Sequence, residues 1–240
     1  MSSKVKTFHE ISSDQQSRAG GKGGALARLI QSGYPVPDGF VIMPSAFDDD
    51  QLQPDAWLQV VKNLELLRIH NGKTAFAVRS SALAEDSAYA SFAGEFETVL
   101  DVHTDEAIRA AISQVHHSRK SERVKAYSEA KGLSQEQEIA VVVQKLVRAD
   151  ISGILFTADP ITGNRFTMNG NYVFGFGEEL VSGEVEPYQF TLERPKGKYR
   201  GPAHLKRFAK KLYKLASNLE DDLGCPQDIE WAVEDGKVYI

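Results

Sequence analysis

Ala77-Val78-Arg79-Ser80-Ser81-Ala82 ends an apolar run on an arginine and opens a stretch of small residues that reaches Ala90-Ser91-Phe92-Ala93-Gly94. Ala75 to Val78 reads as a strand with Arg79 at its end, and Thr98 to Val102 reads as another. The Ser/Ala/Gly-rich segment 80–94 between them is too poor in large apolar side chains to be a core element, so it reads as a loop. Upstream, Phe40 to Met43 is a short buried strand, and residues 55–69 carry Trp57, Val60, Val61, Leu64 and Leu67 at helical spacing. Glycines 20 to 24 precede a helical pattern, Ala25 to Ile30, which Gly33 ends and Pro35 and Pro37 keep from resuming.

Downstream, a helical block from about 104 to 131 places Ile108, Ile112 and Val115 on one face. Glu138 to Val147, Ser152 to Thr157, Asn171 to Phe176 and Val185 to Leu192 are strand candidates, with Asp159-Pro160-Ile161-Thr162-Gly163-Asn164 as a turn. Leu205, Phe208, Leu212, Leu215 and Leu219 mark a long amphipathic helix, capped by Gly224 and stopped by Pro226. Ile229 to Val233 and Lys237 to Ile240 read as a hairpin about Asp235-Gly236. Strands and helices mix without strict βαβ alternation, which predicts an α+β protein in two lobes, 1–103 and 104–240.

The 240 residues are enough for two small cores. A net charge of −5 argues against a broad nucleic-acid or anionic-membrane surface. No apolar run reaches membrane-spanning length and the N-terminus has no signal-peptide core. Cys225 is the single cysteine, so no internal disulfide forms; a reducing cytoplasm is compatible with this.

Several residues can carry chemistry, each with a plainer reading beside it. Lys22 lies among glycines that let a backbone approach phosphate, yet a Walker loop fails: Gly23 follows the lysine and Gln16 replaces the first glycine. Arg79 reads either as a surface ion pair or as a planar fork for phosphate oxygens. Gly94 reads as the start of a flap or as an ordinary loop. Gln144 interrupts Val141-Val142-Val143 and either meets an adenine or faces solvent on an edge strand. Glu178 suits a ribose hydroxyl or a helix start. Asp228 and Glu230, two apart on a strand, share one face with carboxylates about 7 Å apart, a spacing that suits Mg²⁺; the alternative is a polar strand edge. The histidines form no paired metal pattern, and one cysteine cannot build a thiolate zinc site.

Taken in order, Gly20-Gly21-Lys22-Gly23, Pro35-Val36-Pro37-Asp38-Gly39-Phe40, Arg79 to Gly94, Val141 to Lys145, Ser152 to Pro160, Gly175 to Gly183 and Gln227 to Trp231 resemble one family. It is the N-terminal nucleotide-binding domain of phosphoenolpyruvate synthase and pyruvate phosphate dikinase, shared by the rifamycin phosphotransferases. The resemblance covers nearly the whole chain. It implies a two-lobed ATP-grasp fold that clamps Mg·ATP. Lys22 and Arg79 would hold phosphates, Gly94 would belong to a flap, Gln144 would face adenine and Glu178 the ribose. Glu230, with Asp228 nearby, would hold Mg²⁺. Phosphate would pass to a histidine on a separate swivelling domain, and from there to pyruvate, or to the drug in the rifamycin enzymes.

This sequence departs from the family pattern in having Leu83 for threonine and Glu95 for glutamine, and in being shorter between Gly183 and Pro226. The family's Gln-x-Arg segment, which supplies a metal contact and a phosphate contact, would fall just beyond Ile240. His204 does not sit in the setting of the family's phosphocarrier histidine. The chain therefore reads as the ATP-binding part of a longer machine. The competing readings are a non-catalytic nucleotide-binding module and a carboxylate–amine ligase.

Overall fold

The computed structural model describes residues 3–68, 74–83, 97–122, 124, 138–176 and 186–240. Gly94, Glu95 and Glu178 lie outside these. Residue contacts divide the chain into two units, Met1–Leu146 and Val147–Ile240.

In the first unit, β1 (Val5–Thr7), β2 (Gly39–Ile42), β5 (Phe76–Ala82), β6 (Thr98–Val102) and β7 (Ile139–Lys145) form one antiparallel sheet in the order β1-β2-β7-β5-β6. Two short strands, β3 (Phe47–Asp48) and β4 (Gln51–Leu52), form a separate hairpin. Helices α1 (Gly20–Gln31), α2 (Pro54–Arg68) and α3 (Asp105–His117) lie in the same unit. On one side of the sheet, Phe40, Ile42, Phe76, Val78, Val141 and Val143 pack with Val60 and Leu64 of α2 and Ile108 and Ile112 of α3. On the other, Val41, Ala140 and Val142 pack with Ala27 of α1 and with Phe8, Ile11 and Ala19. Burial on both sides is why Ile139 to Val143 is apolar without alternation. The helix α3 opens on a side-chain cap, Thr104 Oγ1 accepting from the Ala107 N–H at 3.2 Å.

This arrangement displaces the division expected near residue 103. The chain leaves β6 and α3 but returns as β7, which threads between β2 and β5 at the middle of the first sheet. Of the helical block expected over 104–131, Asp105–His117 is α3, Ser118–Lys120 is a 3-10 turn and positions 122 and 124 are helical; 123 and 125–131 lie outside the described residues.

In the second unit, β8 (Ile151–Phe156), β9 (Thr167–Phe174), β10 (Tyr188–Glu193), β11 (Lys198–Arg200), β12 (Asp228–Glu234) and β13 (Lys237–Tyr239) form an antiparallel sheet ordered β11-β10-β9-β8-β12-β13. The helix α4 (Lys206–Leu223) buries Phe208, Leu212, Ala216 and Leu219, contacts β11 and β13, and ends at Gly224. Strand β12 alternates buried Ile229, Trp231 and Val233 with exposed Asp228 and Glu230. The architecture is a mixed α+β one. Among the described residues no helix is long and apolar enough to cross a membrane.

Candidate functional site

In the first unit the glycine-rich segment does not precede a helix; it is the first turn of α1, with Lys22 inside it and half-buried. Glycine is a poor helix former, so a reason is needed. Gly20 has φ +76°, and a Cβ added there would overlap the backbone oxygen and Oγ of Ser81. At Gly23 an added Cβ would crowd Val41 at 3.1 Å. The glycines therefore let the helix start lie directly on the sheet, which is a different use from the phosphate approach their spacing suggests.

Strand β5 runs four residues past the predicted end, through Ala82, so Arg79 stands mid-strand and not at a strand terminus. Ser80 and Ser81, read as loop, are buried at 6% and 0% exposure. The Ser81 hydroxyl is satisfied there: it donates to the Ala19 carbonyl at 2.7 Å and accepts from the Gly23 N–H at 2.9 Å. A satisfied serine tolerates the core where an unpaired one would not.

Arg79 pairs with Val142 of β7, whose side chain belongs to the α1-side core, so the arginine lies on the same side of the sheet as α1. Its Nε is buried and without a hydrogen-bond partner among the described residues. Leaving a donor of a charged group desolvated and unpaired costs about 1–3 kcal/mol.

Gln144 sits on that same side, opposite Ala77 and Gly39. It is 5% exposed on a central strand, which corrects the alternative of a solvent-facing edge. Its Nε2 donates to the Pro37 carbonyl at 2.8 Å, so the Pro35-Val36-Pro37 turn holds the amide in one orientation.

In the second unit, Asp228 and Glu230 do share the open side of β12, as their spacing requires. Neither makes a hydrogen bond or an ion pair among the described residues. The Asp228 carboxyl is raised above the ordinary carboxylate value, first by partial burial and then by the negative charge of Glu230. Two mutually repelling carboxylates form a donor set that a hard divalent ion would neutralise.

Their placement depends on residues that pattern reading missed. The fully buried Thr157 exchanges two hydrogen bonds with Gln227: its N–H donates to the Gln227 carbonyl at 2.9 Å, and its Oγ1 accepts the Gln227 N–H at 2.7 Å. This clamp sets the start of β12 one residue before Asp228. Arg194 donates to the Thr157 carbonyl at 3.2 Å and also pairs with Glu220 of α4. Gly153, opposite Trp231, leaves room for the indole: an added Cβ would meet Trp231 Cζ2 at 2.9 Å. Burying Trp231 and Ile229 is what turns the two acids outward.

Other motif residues are structural. Asp159 holds its own turn, its Oδ1 accepting from the N–H groups of Ile161 and Thr162 at 2.9 and 2.7 Å. His204 is surrounded by Tyr172, Phe174 and Tyr188 and hydrogen-bonds the Tyr172 hydroxyl. Among the described residues no group of three or more His, Cys, Asp or Glu could hold a metal.

Comparison with known proteins gives a consistent picture. Residues 44–207 match the family described as pyruvate phosphate dikinase, AMP/ATP-binding domain. A rifampicin phosphotransferase of Bacillus cereus is 32% identical, the match covering 100% of this chain and 35% of that protein. A probable phosphoenolpyruvate synthase of Methanothermobacter thermautotrophicus is 29% identical, covering 98% and 45%. The prodigiosin synthesizing transferase PigC of Serratia marcescens is 30% identical, covering 96% and 32%. This chain thus spans 32–45% of the length of these relatives. Among solved structures, D-alanyl-alanine synthetase A of Vibrio cholerae aligns over 90% of this chain and 52% of its own at a TM-score of 0.47 and 12% identity, too loose a likeness to build on.

Proposed function

The chain belongs to the pyruvate phosphate dikinase AMP/ATP-binding domain family, and on that premise we propose that it binds Mg·ATP as the nucleotide-binding part of a phosphotransferase. The observation that carries the reading is Arg79: a guanidinium on the α1 side of the first sheet whose buried Nε has no partner among the described residues. A phosphate oxygen is the acceptor that fits a planar, permanently charged fork.

The roles of the residues follow from their chemistry. Arg79 and Lys22 neutralise phosphate charge and orient the chain of phosphates. Gln144, its amide held by Pro37, offers a fixed polar group to the base. Asp228 and Glu230 are the pair that would hold Mg²⁺; the bound ion would supply charge neutralisation at the transferring phosphoryl group. Gly94 and Glu178 keep the roles that the family resemblance gives them, in the flap and at the ribose.

We assign the phosphate acceptor to a histidine on a separate domain, with pyruvate as the final acceptor. Rifamycin-type transfer is the alternative, favoured by the 32% identity to a rifampicin phosphotransferase. The single cysteine, Cys225, suits a cytoplasmic protein. The test is isothermal titration of the protein with Mg·ATP. Binding that Arg79→Ala weakens at least tenfold supports the reading; binding indifferent to that change overturns it.

A further inference from the structure

We propose that Ser81 is a positioning residue for nucleotide binding, holding the Lys22 turn of α1 in register with Arg79. The inference rests on the nucleotide reading above and adds to it a residue that touches no ligand. Ser81 follows Arg79 by two positions on β5, so the two side chains share the α1 side of the sheet. Its hydroxyl is fully buried and uses both of its bonding capacities on α1: it donates to the Ala19 carbonyl and accepts from the Gly23 N–H. Ala19 and Gly23 are four apart, the pair whose direct bond would open the helix. The hydroxyl bridges that pair and acts as a helix cap supplied by a distant strand, whereas the position before α1 is Ala19, which has no capping side chain.

The packing makes the bridge rigid. Gly20 lies so close to Ser81 that no side chain fits between them. Lys22 sits between Gly21 and Gly23 in that same turn. Three residues thus form one unit: Arg79 on the strand, Ser81 as the link and Lys22 on the helix. Loss of the hydroxyl leaves the Gly23 N–H and the Ala19 carbonyl without their shared partner, and frees the turn to shift relative to the strand. A shift of this kind matters more for a point charge directed at a phosphate than for the stability of the sheet, whose β5–β7 ladder does not use the hydroxyl.

The experiment is a double-mutant cycle on Mg·ATP affinity, measured by titration calorimetry on wild type, Ser81→Ala, Lys22→Met and the double variant. Ser81→Ala alone is expected to weaken Mg·ATP about five- to tenfold. In the Lys22→Met background it is expected to cost less than about twofold, because the group it positions is gone. A merely structural serine would cost the same factor in both backgrounds, and that result overturns the inference, as does no loss in the wild-type background. Far-ultraviolet circular dichroism confirms folding of each protein. Should Ser81→Ala not fold, Ser81→Cys, a weaker donor of similar shape, is read by the same cycle. If wild type binds no Mg·ATP, the nucleotide reading falls along with this one. If Lys22→Met weakens binding and Ser81→Ala does not, this inference alone falls.

Discussion

Replacing Arg79 by methionine should move stability and affinity in opposite directions. The side chain lies on a sheet face between Val142 and Thr98. Its buried Nε has no acceptor among the described residues. A desolvated, unpaired donor costs about 1–3 kcal/mol. Methionine keeps much of the aliphatic stem and its contacts while removing that cost. Allowing for some loss of solvation at the terminal nitrogens, the nucleotide-free protein should gain roughly 1 kcal/mol, or about 2–4 °C in melting temperature for a chain of this size. Mg·ATP binding should fall because a charge-assisted hydrogen bond worth about 1.5–3 kcal/mol is lost, which is roughly 10- to 150-fold in Kd. Differential scanning fluorimetry without nucleotide reads the first effect, and titration calorimetry reads the second. The expected signature is a more stable protein that binds worse, the trade-off of a site that holds an unpaired group ready for a ligand. A methionine variant that melts lower than wild type by several degrees and binds Mg·ATP equally well would refute the reasoning. It would show that Arg79 serves the fold.

Three further outcomes follow from other residues. Asp228 has a raised folded-state pKa, so the folded protein holds that proton more tightly than the unfolded chain. Its contribution to stability is therefore greatest below the ordinary carboxylate value and is lost as pH rises through the raised one. Asp228→Asn should flatten that loss, raise the melting temperature near neutral pH without Mg²⁺, and abolish any rise produced by Mg²⁺ in wild type; an unchanged Mg²⁺ response would disprove the metal assignment. His116 is 4% exposed, stacked on Phe47 at 3.7 Å, and its pKa is lowered to about 4, first by burial and then by Arg119, with Asp50 opposing. Its contribution is complete above pH 6.5 and lost as pH falls toward 4, at most about 3 kcal/mol; His116→Phe should keep the stack and remove that part of the acid sensitivity, read from urea midpoints at pH 7.5 and 4.5. Thr157→Val should leave the partly buried Gln227 N–H without this partner and cost about 1 kcal/mol, with Mg²⁺ stabilisation reduced because β12 loses its anchor; an intact Mg²⁺ effect at reduced stability would separate folding from site geometry.

What was legible in the sequence was whatever a local period records. The helix α4 announces itself by its apolar stripe, β7 by an unbroken run of valines, and the acids of β12 by strict alternation with Ile229 and Trp231. What was not legible depends on partners distant in the chain. Ser80 and Ser81 read as loop because serine favours turns, and only the Ala19 carbonyl and Gly23 N–H at the start of α1 make Ser81 acceptable in a core strand. Gly20 to Gly24 read as a turn before a helix for the same reason in reverse: propensity disfavours glycine in a helix, and contact with Ser81 and Val41 overrides it. The strand order was hidden too. Nothing local says that β7 enters the sheet between β2 and β5, so Gln144 could be placed on an edge and the division of the chain near 103. The candidate site follows the same rule. Charged residues at telling positions, Arg79, Asp228 and Glu230, stood out from the sequence. The uncharged residues that fix them, Ser81 under the Lys22 turn and Thr157 before β12, act through hydrogen bonds spanning 58 and 70 positions of chain. Both are buried hydroxyls bonded to backbone groups, Ser81 to Ala19 and Gly23 and Thr157 to the Gln227 N–H, so substitution removes a link between elements and not a contact with ligand. Sites of this kind should then lose geometry before they lose chemistry, and the residues that tune affinity should include some that no ligand ever touches.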